Sequence, residues 1–315
     1  MRLSRPAPPP PPAVAPGATV AGVLAEVRRF EVRTSRFVTD VLAGGYRSTF
    51  RGAGVEFSEV REYVEGDDPR QVDWNVTARL GRPFIKRFVE ERELTMVFAL
   101  DLSASMATGI GAWSLREAAA RFCACLGLAA IDNHDRVGLI AGSSACSRFV
   151  LPRKGAGHVL RVVQDCLFAQ GRDRGTDLAN LLGETARRLR RRAVVILLSD
   201  FVGELPERVL SVCGRRHDLV AVHLLPPELT APPPELLDVV DPETGRRTRV
   251  DFAFAPARAA FAAGVQRWRH ELAEKLRRCN VDRIDLQLPM QPDLTAIVNP
   301  LLRFFHRREL RQVRR

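Results

Sequence analysis

Asp101, Ser103 and Ser105 stand at alternate positions directly after the apolar run 96–100, in LTMVFALDLSASM. A run of that length and content reads as a buried strand. The loop behind it would gather oxygen donors at the strand's carboxyl end, where open α/β sheets bind their ligands. Oxygen-only donors suit a hard cation such as Mg²⁺ or Mn²⁺. Two further pieces carry the same chemistry: Thr176 in GTDL, and Asp200 at the end of AVVILLSD. If both strands are central and parallel, all these side chains meet at one edge of the sheet. A single hydroxyl is a weak ligand. Several hydroxyls with two carboxylates can fill most of an octahedron, some through water, and leave one position open. So few formal negative charges leave the ion electrophilic, and the vacancy favours an acidic side chain from elsewhere. This is the chemistry of a binding device, and the expectation is that the protein is not an enzyme.

The alternatives have less behind them. A metal-dependent hydrolase needs a general base, and His134, His158, His217, His223, His270 and His306 are scattered with no catalytic spacing. Neither a G-x-S-x-G elbow nor a P-loop occurs. A nucleic-acid binder is motivated by 48 Lys and Arg against 37 Asp and Glu, a net charge of +11. Yet only 7% of the residues are aromatic, and no nucleic-acid motif is present. Nearly all the basic excess is arginine, because Lys86, Lys154 and Lys275 are the only lysines.

The elements that must position these residues follow from periodicity. The chain has 315 residues, 46% of them hydrophobic, enough for a sizeable core with attachments. Residues 1–18 form a proline-rich tail expected to be disordered. Residues 19–93 form an N-terminal segment with some β-structure. A helix is expected over 20–42, and another begins at Asp68-Pro69, with Val72, Val76 and Leu80 on one face. Asp73, Trp74 and Arg79 on that second helix are candidates for a partner surface; alternatively Trp74 anchors the helix on the core. Residues 94–226 alternate strands with helices, which implies a mostly parallel, doubly wound sheet covered on both faces. The arginine cluster 187–192 closes one of these helices, where cations are favourable with the helix dipole. Residues 227–315 form a C-terminal α+β extension: a hairpin around Glu243-Thr244-Gly245, a long helix, a strand, and a last helix that Pro300 should kink.

Six cysteines without a C-x-x-C pair suggest reduced thiols and a cytoplasmic location. No apolar run approaches the roughly 20 residues that span a bilayer.

The set D-x-S-x-S…T…D, carried by Asp101, Ser103, Ser105, Thr176 and Asp200, resembles the metal-ion-dependent adhesion site of von Willebrand factor A domains. The last piece reads Ser199-Asp200-Phe201, where the usual A domain has T-D-G. The flanking block RSTFRGAGVEFSEVREYVEGDDPRQVDWNVTARLGRPFIKRFVEERE looks like the signature of a bacterial family of unknown function. That family carries an A-like domain and is often encoded beside MoxR-type AAA+ ATPases. The resemblance spans roughly residues 45–225. It implies a von Willebrand factor A-like α/β fold, a bound Mg²⁺ or Mn²⁺ whose last ligand a partner can supply, and a MoxR-type ATPase as that partner in chaperone-like assembly or activation of other proteins. Many members of that family have membrane helices ahead of the block, which this chain lacks.

Overall fold

The computed structural model describes residues 19–33, 56–64, 67–68, 72–89, 93–171 and 175–313. Contacts divide the chain into two units, Phe50–Leu94 and the remainder.

The larger unit is built on a six-stranded sheet. Its strands are β3 (Thr95–Asp101), β4 (Arg136–Gly142), β5 (Cys146–Arg153), β6 (Val194–Ser199), β7 (Asp218–Leu225) and β10 (Asp282–Gln287). Their order is β10-β7-β6-β3-β4-β5, with β5 alone antiparallel. The chain leaves β3 for β4 on one side and later returns to β6 on the other. The carboxyl ends of β3 and β6 therefore flank the point where the winding reverses, the place where such sheets form a crevice. Strand β6 is buried along its whole length, as its unbroken VVILL requires of a strand covered on both faces.

Helices cover each face. On one side lie α1 (Val20–Arg33), α3 (Leu115–Asp132), α4 (Ala156–Phe168) and α8 (Thr295–Val313). On the other lie α5 (Leu178–Arg188), α6 (Glu207–Arg216) and α7 (Ala255–Arg278), packed on Val97, Ala99, Val195 and Leu197 through Leu181, Leu182, Leu210, Leu272 and Leu276. Strand residues alternate between these layers because successive side chains point to opposite faces. Between β7 and α7 sits a hairpin, β8 (Leu236–Val240) with β9 (Arg247–Asp251). The expected extension is thus continuous with the sheet: β10 pairs in parallel with β7 and forms its edge. Pro300 lies inside α8, which continues through it to Val313.

The smaller unit pairs β1 (Glu56–Glu62) antiparallel with β2 (Phe84–Val89), and carries α2 (Trp74–Leu80). The helix start differs from the one expected at Asp68. Asp73 is the N-cap, its carboxylate accepting from the N–H groups of Asn75 and Val76, while Val72 bridges Ile85 in the strand beyond. Asp73 wins because its side chain satisfies two helix-end donors and its own N–H is taken by Phe84 O. Gly81 closes the helix at φ +69, as expected. The first described helix covers 20–33; the remainder of the expected span 34–42, and the proline-rich tail, lie outside the described residues.

All six cysteines are free, and five are buried. Among the described residues no helix is long and apolar enough to cross a membrane.

Candidate metal centre

Strand β3 ends in Asp101, which is 1% exposed. Its carboxylate makes a short network. Oδ1 accepts the Ser103 N–H at 2.8 Å, and Oδ2 accepts the Ser199 hydroxyl at 2.8 Å. Ser199 Oγ in turn accepts the Phe201 N–H at 3.0 Å. The ends of β3 and β6 are therefore laced together by one carboxylate and one hydroxyl. Residues 104–107 then take a single 3₁₀ turn, which brings Ser105 Oγ to 3.1 Å from Ser103 Oγ. Asp200 sits beside them, accepting the Val202 N–H at 3.1 Å, with Ser105 near enough to draw its carboxyl down.

Four of the five expected donors thus converge: Asp101, Ser103, Ser105 and Asp200. Thr176 reaches the same edge by another route. It precedes α5, whose N-cap Asp177 accepts the Asn180 N–H at 2.8 Å. The Asn180 side chain donates to Ser144 O in the turn after β4. Leu102 N–H, on the loop bearing the serines, donates to Gly142 O at the end of β4. The start of α5 accordingly lies at the carboxyl edge. The Thr176 hydroxyl, however, donates to Glu243 Oε1 at 2.6 Å, and no hydrogen bond joins it to the other four. Glu243 belongs to the β8–β9 turn.

The electrostatics are those of two carboxylates under strain from burial. Desolvation pushes the Asp101 carboxyl up to about 6; the Ser103 N–H pulls it down, and the charge of Asp200 adds to the rise. Asp200 is raised as well, by burial first, with Ser105, Val202 and His223 opposing. Among the described residues neither carboxylate has an ion pair with Arg or Lys. Two buried acids without a direct ion pair, and with hydroxyls between them, fit a cation of the hard, oxygen-binding class. The set contains only two carboxylates, and no group of three or more His, Cys, Asp or Glu gathers elsewhere among the described residues. Asp101, Ser103 and Asp200 are buried, whereas Ser105 and Thr176 are half-buried, so access from outside runs past those two hydroxyls.

Residues 59–271 match the model of a family described as protein of unknown function DUF58. The chain belongs to this family. Similar proteins include the uncharacterised Mb1516 of Mycobacterium bovis and Rv1480 of Mycobacterium tuberculosis. Each is 30% identical over 268 residues, covering 84% of this chain and 84% of the relative. Among solved structures, the conserved hypothetical protein BatB from Bacteroides thetaiotaomicron is 11% identical and covers 68% of this chain and 98% of its own, at a TM-score of 0.37. The open pilus adhesin SpaC from Lactobacillus rhamnosus GG is 13% identical and covers 69% and 30% respectively, at 0.41.

Two residues escaped the sequence reading. Ser199 could have been noticed as the hydroxyl standing where the A-domain pattern has Thr before Asp200. Glu243 had no signal at all, being one acid in a distant hairpin turn. Phe201, in the place of the pattern's glycine, adopts a left-handed φ of +54. Its buried ring meets His223 edge-on at 5.8 Å, which helps hold a conformation that costs an ordinary residue about 1–2 kcal/mol. The Asp73, Trp74 and Arg79 group divides. Asp73 is committed to its cap; Trp74 is 72% exposed, so it does not anchor its helix on the core; Arg79 is exposed in the last turn.

Proposed function

We propose that this protein is a metal-ion-dependent protein-interaction module whose larger unit is von Willebrand factor A-like. The observation that carries the reading is the meeting of Asp101, Ser103, Ser105 and Asp200 at the winding reversal of the sheet. Asp101, Ser103, Ser105 and Asp200 would hold Mg²⁺ or Mn²⁺, with Thr176 joining from the start of α5. The bound ion supplies an electrophilic coordination site. The chain's own residues do the rest: Ser199 orients Asp101, the 3₁₀ turn presents both serine hydroxyls, and burial keeps water from the carboxylates. An acidic side chain of a partner protein fits the open position. A MoxR-type AAA+ ATPase is the partner class implied by the resemblance of the flanking block, and exposed Trp74 and Arg79 offer it a second contact. Assembly or activation of other proteins would then be the process served, in the cytoplasm.

Calorimetry with Mg²⁺ and Mn²⁺ on the wild type and on Asp101→Ala tests the site. The wild type should release heat on binding, and the variant should not. Capture of a co-expressed MoxR-type ATPase should fail in EDTA and with Asp101→Ala; capture indifferent to both would remove metal bridging from the reading.

A further inference from the structure

Strand β10 ends the sheet on its side, and among the described residues it has a neighbour, β7, along one edge only. The register with β7 is unbroken from Asp282 to Gln287, and just past it the Leu288 N–H donates to Leu225 O at 2.8 Å. Backbone groups of a strand point alternately to its two sides. Those of Ile284, Leu286 and Leu288 therefore face β7, and those of Arg283, Asp285 and Gln287 face outward. We infer that this outer edge is a docking site for an acidic segment of a partner protein, which joins the sheet as a further strand. The site is apart from the candidate metal centre and needs no cation.

The edge forms the floor of a groove of about 700 Å³ between α7 and α8. Six arginines line it, against two aspartates. Both aspartates are already engaged: Asp282 with Arg308 at 2.7 Å and Arg311 at 3.0 Å, and Asp285 with Arg283 at 2.9 Å. Arg303 and Arg307 are exposed and have no ion pair among the described residues. The groove therefore holds uncompensated positive charge, and an acidic occupant complements it. Arg308, near the end of α8, reaches Asp282 at the start of β10, so the helix runs back along the strand. Arg303, Arg307 and Arg311 stand four apart and make one row along it, at a spacing of about 6 Å. Alternate side chains of a strand recur about every 6.6 Å. A docked strand with an acid at every second position would meet this row nearly in step. The outward N–H and C=O groups supply the ladder that added strands use, and the arginine row selects the side chains. Like charge keeps a second copy of the chain from pairing edge to edge here. Nucleic acid fits less well, because the groove's one phenyl ring, Phe304, is buried and offers no stacking face.

The probe is a fluorescein-labelled short peptide of alternating glutamate and threonine, titrated with the full chain and read by anisotropy. It should bind, and a peptide of alternating lysine and threonine should not. Arg303→Ala combined with Arg307→Ala should weaken binding about fivefold, as loss of two exposed ion pairs does. Neither side chain is paired, so this variant should melt as the wild type does. The same peptide with every backbone nitrogen methylated keeps its charges and loses its donors; it should not bind. Hydrogen exchange at 283–287 should slow when the unmodified peptide binds, and EDTA should change nothing. Equal binding of the methylated peptide, unmoved exchange in β10, or a double variant that binds as the wild type does would overturn the inference. Binding that needs a divalent ion would overturn it too, by placing the acids at the candidate metal centre. So would displacement of the peptide by a single-stranded oligonucleotide that leaves exchange in β10 unchanged, which would make the groove a phosphate site.

Discussion

Asp101 is a buried acid beside a second buried acid, and that pairing makes its behaviour predictable. Its native carboxyl lies near 6 against an ordinary value of 3.8, with burial the main cause. The native state therefore holds the proton more tightly than the unfolded chain does. Without metal, stability should fall as pH rises from 3.8 to about 6, by roughly 3 kcal/mol in all, and stay low above that. Asp101→Asn removes the charge while keeping an acceptor for the Ser103 N–H. In EDTA near pH ~8 it should melt above the wild type; in Mg²⁺ it should melt below, because only the wild type gains binding energy. Thermal melts of both proteins in both buffers check this, and Mg²⁺ leaving both curves unmoved would remove the cation from the account. At this scale the sequence revealed much of the site. The alternation Asp101, Ser103, Ser105 is local, so the strand that precedes it fixes where all three end up. Asp200 follows by the same logic from β6. The bond from Thr176 to Glu243 was illegible because it depends on how a distant hairpin folds back, and no periodicity reports that.

Strands were legible wherever burial is two-sided. The runs ending at Asp101 and Ser199 are apolar throughout, since both faces of a parallel sheet are covered. Helix starts were less so. Asp68-Pro69 has the composition of a start, yet Asp73 takes the role because β2 lies within reach of its N–H. Close approach between elements also sets the loop that carries the serines. A Cβ at Gly142 would lie 2.5 Å from Ala145 O, in the turn between β4 and β5, and 3.0 Å from Cys146 Cα, at the start of β5. Backbone atoms cannot swing aside as a side chain can. The Gly142 carbonyl, moreover, accepts the Leu102 N–H at 2.9 Å, one residue before Ser103. Gly142→Ala should cost about 1–3 kcal/mol in chemical denaturation. It should also weaken Mg²⁺ binding, since the β4 end that steadies the loop has to move. A variant that folds and binds Mg²⁺ as the wild type does would show that β4 has no part in placing the serines.

The sheet extends past the family match, which ends at residue 271, while β10 begins at Asp282. A strand that pairs in parallel with β7 from across a hairpin and a long helix leaves no local trace, so sequence periodicity showed β10 as a strand but not as part of this sheet. Its consequences are physical. Ile284 and Leu286 on β10, with Ile297, Val298, Leu301, Phe304 and Phe305 on α8, are almost completely buried. Helix α8 packs on both β10 and α3. Arg308 on α8 closes the arrangement, paired with Asp218 of β7 at 2.6 Å and with Asp282 of β10 at 2.7 Å. Residues 95–226 expressed alone would expose the edge of β7 and the face of α3 that α8 covers. Burying one large apolar side chain is worth about 1.5–3 kcal/mol, and whole domains are stable by only about 5–15 kcal/mol. Loss of seven such side chains therefore removes packing comparable to that whole margin. The fragment should show no cooperative melt and should bind a dye for exposed apolar surface, whereas the full chain, which keeps α1 and α8 over α3, should melt cooperatively and bind none. A cooperative, monomeric fragment 95–226 would mean that the apolar contacts of β10 and α8 stabilise only themselves, and that the candidate site needs no more than five strands to hold it.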